Sequence, residues 1–337
     1  MLRQRAIVVT DSSQIGEARR AATTLAIRTN FNETDSGRIA IVVMELATNL
    51  VRYGQKGVIF IRGEIHTDGT ARVEVLAIDS GPGMDFSRCS VDGYSTGGTP
   101  GNGLGAIQRL ADEFDVYSTR PSGTVIMAAV CSSGKSPSAP KTLRWGVVSL
   151  PARGEQVCGD AFGYRQAGPK AVLMVADGLG HGPDAAKASA CAVTLFDRDP
   201  FMDAADFIRS SHAAMAGTRG AALAVASLDG AARVLHFAGV GNIAGTVFSA
   251  ESRRGLPSNN GIVGAVLPRL QPFEYPLPDT GLIVLHSDGL QTRWSLDPYP
   301  GLALRHPAVV AGVLYRDFGR GRDDVTVLVT SWQGGLS

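Results

Sequence analysis

The amino-acid sequence predicts a two-domain α/β protein, in which an N-terminal α/β sandwich with a mixed sheet precedes a C-terminal β-sandwich flanked by helices. The first observation is a run rich in Ser, Gly, Pro and Lys, CSSGKSPSAPK, between two apolar stretches, which is typical of a linker. The second is that helical and strand-like periodicities alternate before this run, whereas short β-branched segments dominate after it. We therefore expect a domain at 1–132, a linker at 133–141 and a domain at 142–337.

The first domain is predicted to pack its helices on one sheet, which is the arrangement of an α/β sandwich. Its longer helix is capped by Asp35 or Ser36 and ends before Gly54, and it places Glu45 and Asn49 four residues apart on one face. The elements expected in order are a strand at 5–10, a helix at 15–29 capped by Ser12 or Ser13, that longer helix, strands at 57–65 and 72–79, a Gly-rich loop, a helix at 103–112, and strands at 114–119 and 123–130.

The second domain is predicted to be a β-sandwich, because its apolar segments are short and rich in β-branched residues. These segments read VLMVAD, ALAVASL, RVLHFAGV, AGTVFS, LIVLHSD and VTVLVT. Two helical stretches, roughly 183–196 and 203–215, would cover the sheets.

The charge balance argues against nucleic acid as a partner, since 32 Lys and Arg stand against 31 Asp and Glu and the net charge is +1. The four cysteines are scattered without C-x-x-C spacing, so a reducing compartment is expected rather than a zinc site or a disulfide framework. The apolar run near the N-terminus is too short for a signal peptide. No stretch approaches the ~20 apolar residues of a membrane helix, and we expect a soluble, cytoplasmic protein without a membrane partner.

Three motifs of the first domain have the chemistry of a nucleotide site: ELATN, DSGPG and GYSTGGTPGNGLG. Asn49 can offer Mg²⁺ an oxygen ligand, and Glu45, one turn earlier, is placed to act as a base. Asp79 ends an apolar strand, where its carboxylate could accept a hydrogen bond from an exocyclic amine, and Gly81 and Gly83 would let the backbone approach a flat base. The Gly-rich run leads into a helix N-terminus, which favours phosphate. Alone, E-x-x-x-N is usually a solvated pair and D-x-G-x-G a turn, but their order favours the nucleotide site.

This succession resembles the histidine-kinase-like ATPase fold over nearly all of residues 1–132, and GYSTGGTPGNGLGAIQRLADEFDVYS is similar to the RsbT/RsbW-like serine kinases that act as anti-sigma factors or stressosome switch proteins. No phospho-accepting histidine helix precedes the domain, so we do not expect an ordinary sensor histidine kinase. The resemblance implies ATP as the cofactor, with Asn49 as the Mg²⁺ ligand, Glu45 as the base and Asp79 as the adenine contact. The implied nucleotide-binding residues are Glu45, Asn49, Asp79, Gly81, Gly83, Thr96, Gly97, Gly101, Gly103, Leu104 and Gly105.

Four acidic motifs of the second domain each lie at a predicted strand end or beside it: GDAFG, VADGLGHG, HSDGL and RDDVT. Carboxylate oxygens suit magnesium or manganese, and no set of His or Cys competes for a softer metal. Two such ions can bridge a hydroxide and hold a phosphoryl group for in-line attack. Gly178, after Asp177, could add a backbone carbonyl ligand. A single Asp-Gly at a strand end is usually only a turn, but four acidic motifs in this order favour a metal site.

Together with VGN, these motifs resemble the PPM-type metal-dependent serine/threonine phosphatases of the SpoIIE/RsbX-like branch, an α-β-β-α sandwich, over about residues 142–331. The resemblance implies that Asp160 and Asp177 bridge two Mn²⁺ or Mg²⁺ ions, and that Asp288 and Asp323 complete the site. The residues implied in catalysis across the chain are Glu45, Asp160, Asp177, Asp288 and Asp323, and those implied in metal binding are Asn49, Asp160, Asp177, Gly178, Asp288 and Asp323.

Three further residues of the second domain are open to more than one interpretation. Asp324 stands where relatives often carry Asn or Asp, so it is expected beside the metal ligands rather than among them. His181 in GLGHG is either a turn histidine bonded to backbone, which we favour, or a general acid. Arg153 precedes Asp160 closely enough to approach a phosphate, although its spacing is not that of the phosphate-binding arginine in the larger PPM enzymes.

These resemblances imply a regulatory enzyme of a partner-switching system. Its phosphatase would act on phosphoserine or phosphothreonine of a STAS-type anti-anti-sigma or stressosome protein, and its ATP-binding domain would phosphorylate such a protein. In the alternative, the first domain is a nucleotide-dependent module that captures a sigma factor or another effector without phosphotransfer, although the intact Glu45 and Asn49 favour catalysis. A degenerate phosphatase scaffold is disfavoured because all four acidic motifs are present. Kinases of this family often pair, so a homodimer is a candidate assembly, although no surface indicates it.

Overall fold

The computed structural model describes residues 4–65, 69–85, 103–132, 143–267 and 269–333. They form two compact units, one of Met1–Ser138 with Leu304–Arg316 and the other of Ala139–Ala303 with Asp317–Ser337. The predicted linker at 133–141 lies outside the described residues. No helix within the described ranges combines the length and apolarity that a membrane crossing requires.

The first unit packs helices on a five-stranded sheet with strand order β1-β2-β3-β5-β4, which confirms the predicted α/β layer. Its elements are β1 Arg5–Val8, α1 Ser12–Arg28, α2 Glu33–Tyr53, β2 Val58–Ile65, β3 Ala71–Asp79, α3 Gly103–Leu110, β4 Glu113–Ser118 and β5 Thr124–Cys131. Every pairing between these strands is antiparallel, so the expectation of a mixed sheet was wrong in this detail. The physical reason is that β2–β3 and β4–β5 are hairpins and that two helices, α1 and α2, return the chain from β1 to β2.

The caps of the two long helices lie one to four residues before the predicted ones. Asp11 caps α1 through a capping box with Gln14, whose side chain accepts from the Asp11 N–H. Asn32 caps α2 by accepting from the Asp35 N–H at 2.7 Å. The sequence analysis preferred residues inside the helices because Ser12, Ser13, Asp35 and Ser36 are also cap-forming types.

The core of the first unit lies between the helices and one face of the sheet, where alternate strand residues such as Ile59, Ile61, Val73 and Val75 are buried. The other face carries a helix from near the end of the chain, α6 (Pro307–Phe318). Its ring of Tyr315 meets Phe60 edge-on with centroids 5.7 Å apart.

Two further contacts fix α6 within the first unit. Asp115 of β4 accepts a hydrogen bond from the His306 N–H at 2.6 Å, just before the helix begins. A Cβ on Gly312 would lie 2.7 Å from Val125 Cγ1, so only glycine permits this approach of helix to sheet. Residues 304–316 fall in the predicted second domain, and α6 has no predicted counterpart, because its Val-rich segment is buried on all sides and has no helical periodicity.

The second unit is a sandwich of two five-stranded sheets, with strand orders β13-β10-β9-β8-β7 and β12-β11-β14-β15-β6, as predicted. Its core contains inward residues of both sheets, including Leu173, Val175, Leu285 and Leu328. Two helices pack on the outer face of the first of these sheets. The elements are β6 Leu143–Leu150, β7 Asp160–Ala167, β8 Lys170–Gly178, α4 Pro183–Arg198, α5 Ala204–Ala214, β9 Ala221–Asp229, β10 Val234–Val240, β11 Ala244–Phe248, β12 Arg253–Leu256, β13 Phe273–Pro276, β14 Gly281–His286 and β15 Val325–Trp332.

Candidate functional sites

Glu45 and Asn49 face the beginning of α3, as their helical spacing predicts. A Cβ on Gly103, the first residue of α3, would lie 2.8 Å from Glu45 Oε2 and 4.0 Å from Asn49 Oδ1. The first N–H groups of a helix have no partner within it and favour an anion. The structure therefore places a carboxylate, an amide and a helix N-terminus together.

Arg38 of α2 contacts the C-terminal end of α3, opposite to the end that Glu45 faces. Its guanidinium donates to the Leu110 carbonyl oxygen through Nε at 3.1 Å and Nη2 at 2.8 Å, and to Asp112 Oδ1 at 2.8 Å. Residue 38 of α2 thus meets the last carbonyl of α3, whereas Glu45 meets its first residue. The two helices run antiparallel, and the arginine anchors the C-terminal end of α3 against α2.

Asp79 lies at the last residue of β3, beside the end of α2. Its Oδ1 accepts from the Gly81 N–H at 2.7 Å, and its Cβ lies 3.1 Å from where a Cβ on Gly54 would stand. Gly54 follows Asn49 by five residues, or about 7.5 Å along a helix axis. Burial raises the pKa of Asp79 above its usual value, against the opposing effects of the Gly81 N–H and of Arg316.

The glycines predicted to contact nucleotide are only partly described. Gly81 and Gly83 pack against backbone: a Cβ on Gly83, whose φ is +67°, would lie 2.5 Å from the Thr119 carbonyl oxygen, so this position requires glycine. Gly105 is buried in α3. Leu104 packs against the core, and Thr96, Gly97 and Gly101 lie outside the described residues.

In the second unit, Asp160 and Asp177 are direct partners across the antiparallel pair of β7 and β8. Asp160 opens β7, and Asp177 is the penultimate residue of β8. Directly opposite residues have Cβ atoms about 4.5–5.5 Å apart, which brings two carboxylates to one end of the sheet. Gly178 follows, and a side chain there would collide with the Ala185 backbone of α4.

Asp160 is anchored by the opposing sheet. The Ser287 hydroxyl donates to Asp160 Oδ2 at 2.6 Å, and the Thr326 N–H donates to Ser287 Oγ at 2.9 Å. Asp160 Oδ1 is buried and has no hydrogen-bond partner among the described residues. Such an orphaned carboxylate oxygen is costly unless something else satisfies it.

The other acidic motifs lie around this pair. Asn242 donates to Asp288 Oδ2 at 2.8 Å. Asp324 is buried and accepts from the Ala152 N–H through Oδ1 at 2.8 Å, whereas its Oδ2 is a second buried oxygen with no hydrogen-bond partner in the described part of the chain. Asp323 is exposed and accepts from the Asp324 N–H at 2.9 Å.

The electrostatics of these carboxylates reflect their crowding. Burial, followed by the charges of Asp288, Asp323 and Asp324, raises the pKa of Asp177 to about 7. Burial and the neighbouring Asp177 hold the pKa of Asp160 well above its usual value, and burial also raises the pKa of Asp288 and of Asp324. A site that resists its own negative charge in this way gains most from a cation.

The donor set suits hard divalent cations, because it consists of carboxylates with two oxygens left over. Across the described ranges, however, no three Asp, Glu, His or Cys side chains converge closely enough to hold an ion as they stand. The residues thus have the right chemistry, and small side-chain movements would be needed to complete a coordination sphere.

His181 does not behave as the turn histidine that we favoured. Its Nδ1 lies 2.7 Å from Glu155 Oε1, and the imidazole is 65% exposed. The ring therefore has a side-chain partner and not a backbone one among the described residues, and most of its surface faces solvent. Arg153 is exposed and directly follows Ala152, whose N–H donates to Asp324, so a role toward phosphate stays a prediction.

Three residues with evident roles in the site were missed in the sequence analysis. Ser287, in the motif HSDGL, donates to Asp160, and Asn242, in the motif VGN, donates to Asp288. The available signal in each motif was a polar residue close to a strand end. Glu155 had no signal, since its pairing with His181 depends on a loop of positive-φ glycines, Gly180 and Gly182.

Comparison with known families supports both halves. A family model described as the histidine kinase-like ATPase domain matches residues 8–130. A second, described as stage II sporulation protein E (SpoIIE), matches residues 168–333.

Two curated proteins of Bacillus subtilis are similar in sequence. The serine/threonine-protein kinase RsbT is 37% identical over 112 residues, which are 33% of this chain and 84% of RsbT. The phosphoserine phosphatase RsbX is 28% identical over 147 residues, which are 43% of this chain and 73% of RsbX.

Solved structures agree with the sandwich. A structure described as "The bacterial stressosome: a modular system that has been adapted to control secondary messenger signaling" matches 56% of this chain and 100% of its own, with a TM-score of 0.53 and 29% identity. The crystal structure of RsbX in complex with magnesium matches 58% of this chain and 97% of its own, with a TM-score of 0.50 and 20% identity, and it supports the fold alone.

Proposed function

We propose that this chain is a cytoplasmic switch protein with opposed activities. Its first domain belongs to the histidine kinase-like ATPase family of RsbT, and its second carries a PPM-type serine/threonine phosphatase domain of the SpoIIE family. The phosphatase removes phosphate from serine or threonine of a STAS-type anti-anti-sigma or stressosome protein. The ATPase-like domain phosphorylates such a protein. This arrangement would connect one chain to both directions of a partner switch.

The observation that carries the phosphatase proposal is the crowding of Asp160, Asp177, Asp288 and Asp324, with two buried carboxylate oxygens left without hydrogen-bond partners among the described residues. In this proposal Asp160 and Asp177 would be shared by two Mn²⁺ or Mg²⁺ ions, and Asp288, Asp323 and the Gly178 carbonyl would complete the site. When bound, the ions supply a hydroxide nucleophile and neutralise the phosphoryl oxygens. The protein's part is to gather and orient the carboxylates, and the hydrogen bonds from Ser287 and Asn242 oppose the rise in the pKa of Asp160 and Asp288.

The kinase proposal rests on the contact of Gly103 with Glu45 and Asn49. In this proposal Asn49 binds the Mg²⁺ of ATP, the α3 N-terminus binds its phosphates, and Glu45 takes the proton of the attacking serine. Asp79, the last residue of β3 and beside the end of α2, is assigned to the adenine amine. The half-buried Asp79 carboxylate accepts from the Gly81 N–H and interacts with the Thr124 N–H, and in this proposal a further lone pair accepts from the adenine amine.

Opposed activities on one substrate would only consume ATP unless they are separated by phosphorylation site, by substrate or by a switch. The experiment measures phosphate release from p-nitrophenyl phosphate and from a phosphorylated STAS protein, with MnCl₂, with EDTA, and with or without ATP. Manganese-dependent release supports the phosphatase, and a change caused by ATP shows that nucleotide regulates it. Absence of release under every condition rejects the phosphatase proposal.

The kinase assignment is tested by Glu45→Ala, with Glu17→Ala as the matched control. Glu17 is an exposed carboxylate on α1 paired with Arg5, outside the proposed site. We expect Glu45→Ala to lower transfer from radiolabelled ATP to a STAS protein by 10²- to 10⁴-fold, the usual contribution of a general base, while fluorescent ATP binding is retained. If no phosphate transfer is detected and Glu45→Ala captures the partner protein as well as the wild type does, the nucleotide-dependent binding module is favoured instead.

A further inference from the structure

We propose that Ser287 is a positioning residue for the phosphatase site, whose hydroxyl holds one oxygen of Asp160 so that the other stays directed at the metal ions. This inference rests on the proposed function, since it assigns Asp160 as a metal ligand. Ser287 is fully buried and lies one residue beyond β14, next to Asp288.

The direction of the hydrogen bond is fixed by chemistry. A serine hydroxyl has one proton to donate and two lone pairs. The Thr326 N–H, which can only donate, occupies a lone pair of Ser287 Oγ at 2.9 Å, and the Asp160 carboxylate at 2.6 Å, ionised as a metal ligand has to be, can only accept. The hydroxyl proton therefore points at Asp160 Oδ2, and a hydrogen bond to a charged acceptor is among the stronger ones.

Two hydrogen bonds to the Thr326 backbone fix the position of Ser287. The Ser287 N–H donates to the Thr326 carbonyl oxygen at 3.0 Å, which extends the pairing of β14 with β15 by one residue. The Thr326 N–H returns to the serine side chain, and Thr326 Oγ1 lies 2.9 Å from Ser149 Oγ. A rigid pair of strands in one sheet thus orients a carboxylate of the other.

The consequence for Asp160 is an asymmetric carboxylate. Oδ2 is occupied, whereas Oδ1 is buried with no hydrogen-bond partner in the described part of the chain. Without the Ser287 hydroxyl, Asp160 would keep, among the described residues, only its side-chain interaction with Thr326, and rotation about its Cβ–Cγ bond would be less restricted. Partners of this kind behind metal ligands are worth about 10- to 100-fold in metal affinity.

A purely structural role for Ser287 is the competing explanation, and metal affinity separates the two. A buried hydroxyl that only stabilises the fold would change the melting temperature in EDTA, but the folded protein would bind Mn²⁺ as before. A positioning hydroxyl changes the Mn²⁺ dissociation constant of folded protein.

The test uses the full chain and isothermal titration with MnCl₂, beside p-nitrophenyl phosphate hydrolysis at increasing Mn²⁺. Ser287→Ala removes the hydroxyl, Ser287→Cys keeps its volume with a weak donor, and Ser287→Thr keeps the hydroxyl. Ser211→Ala is the matched control, because Ser211 is a fully buried serine of the same unit whose hydroxyl has no partner among the described residues.

We expect Ser287→Ala and Ser287→Cys to weaken Mn²⁺ binding about 10- to 100-fold, with hydrolysis recovering as Mn²⁺ is raised. Ser287→Thr and Ser211→Ala should bind within about 3-fold of the wild type. If Ser287→Ala does not fold, Ser287→Cys gives the answer. Wild-type affinity in the alanine or cysteine variant, or a threonine variant as weak as alanine, overturns the inference, whereas a wild type that neither binds Mn²⁺ nor hydrolyses the substrate rejects the proposed function itself.

Discussion

Replacing Asp177 by Asn should stabilise the metal-free protein while abolishing its phosphatase activity. Burial and the neighbouring Asp288, Asp323 and Asp324 raise the pKa of Asp177 from 3.8 to about 7. The folded state therefore holds this proton more tightly than the unfolded chain does. The resulting stability is fully present below pH 3.8 and is lost as the pH rises through 7. Asparagine keeps an oxygen for the Asp288 N–H and never acquires the charge.

The size of the effect follows from the shift. Between pH 5 and pH 7 the wild type loses about 1.4 kcal/mol per pH unit on this account, or about 3 kcal/mol in all. Protonation of the neighbouring carboxylates relieves part of that loss, so the advantage of Asp177→Asn should grow by about 1–3 kcal/mol from pH 5 to pH 8. For a unit of this size that is roughly 2–10 °C in melting temperature.

The assay is differential scanning calorimetry in EDTA at pH 5 and pH 8, following the transition that MnCl₂ shifts in the wild type. Asp197→Asn is the control, because Asp197 is an exposed carboxylate paired with Arg165 and lies outside the acidic motifs. Comparing the two pH values cancels any effect of the amide that does not depend on charge. Equal differences between variant and wild type at both pH values would refute the reasoning.

Three other outcomes are expected. Gly312→Ala should destabilise the first unit by about 1–3 kcal/mol, because the added methyl group would overpack against Val125. Gly37→Ala, in α2 with open space around it, should stabilise the unit by up to ~1 kcal/mol. Thermal unfolding of the two variants and the wild type measures both effects. Asp115→Ala should cost about 1 kcal/mol by removing the acceptor at the start of α6, measured by urea unfolding. Mn²⁺ binding should release more protons at pH 6 than at pH 8, because the pKa of Asp177 is raised to about 7 and a bound ion needs the carboxylate form. Titration in buffers of different ionisation enthalpy would show it, and equal release at the two pH values would contradict it.

The layers of both units could be predicted from the sequence because periodicity is local. The strand predicted at 72–79 is observed at Ala71–Asp79, and the helix predicted from residue 183 begins at Pro183. Glu45 and Asn49 share a face for the same reason. What depended on distant parts of the chain was missed: α6 is buried on all sides and has no periodic pattern, and Ser287 meets Asp160 across 127 residues of sequence.

The sequence also did not predict which carboxylate oxygens of the candidate metal site are hydrogen-bonded. Four acidic motifs predict that carboxylates gather, but not which oxygen of each is occupied. Asp323 was placed among the ligands and Asp324 beside them, yet the structure leaves Asp323 exposed and Asp324 buried with a free oxygen. The assignment between these neighbours depends on side-chain rotation at the start of one strand, which a pattern of residue types does not encode.

Residues 304–316 belong to the first unit but are synthesised long after the rest of it. The sheet face with Phe60 and Val125 is complete only when this late segment has arrived, and translation at about 5–20 residues per second separates residue 138 from residue 304 by roughly 10–30 s. During that interval the nascent ATPase domain presents an uncovered apolar face, a natural binding site for a chaperone. A chain truncated at the predicted linker would lack α6, so we expect its first domain to be less stable than the same domain in the full chain.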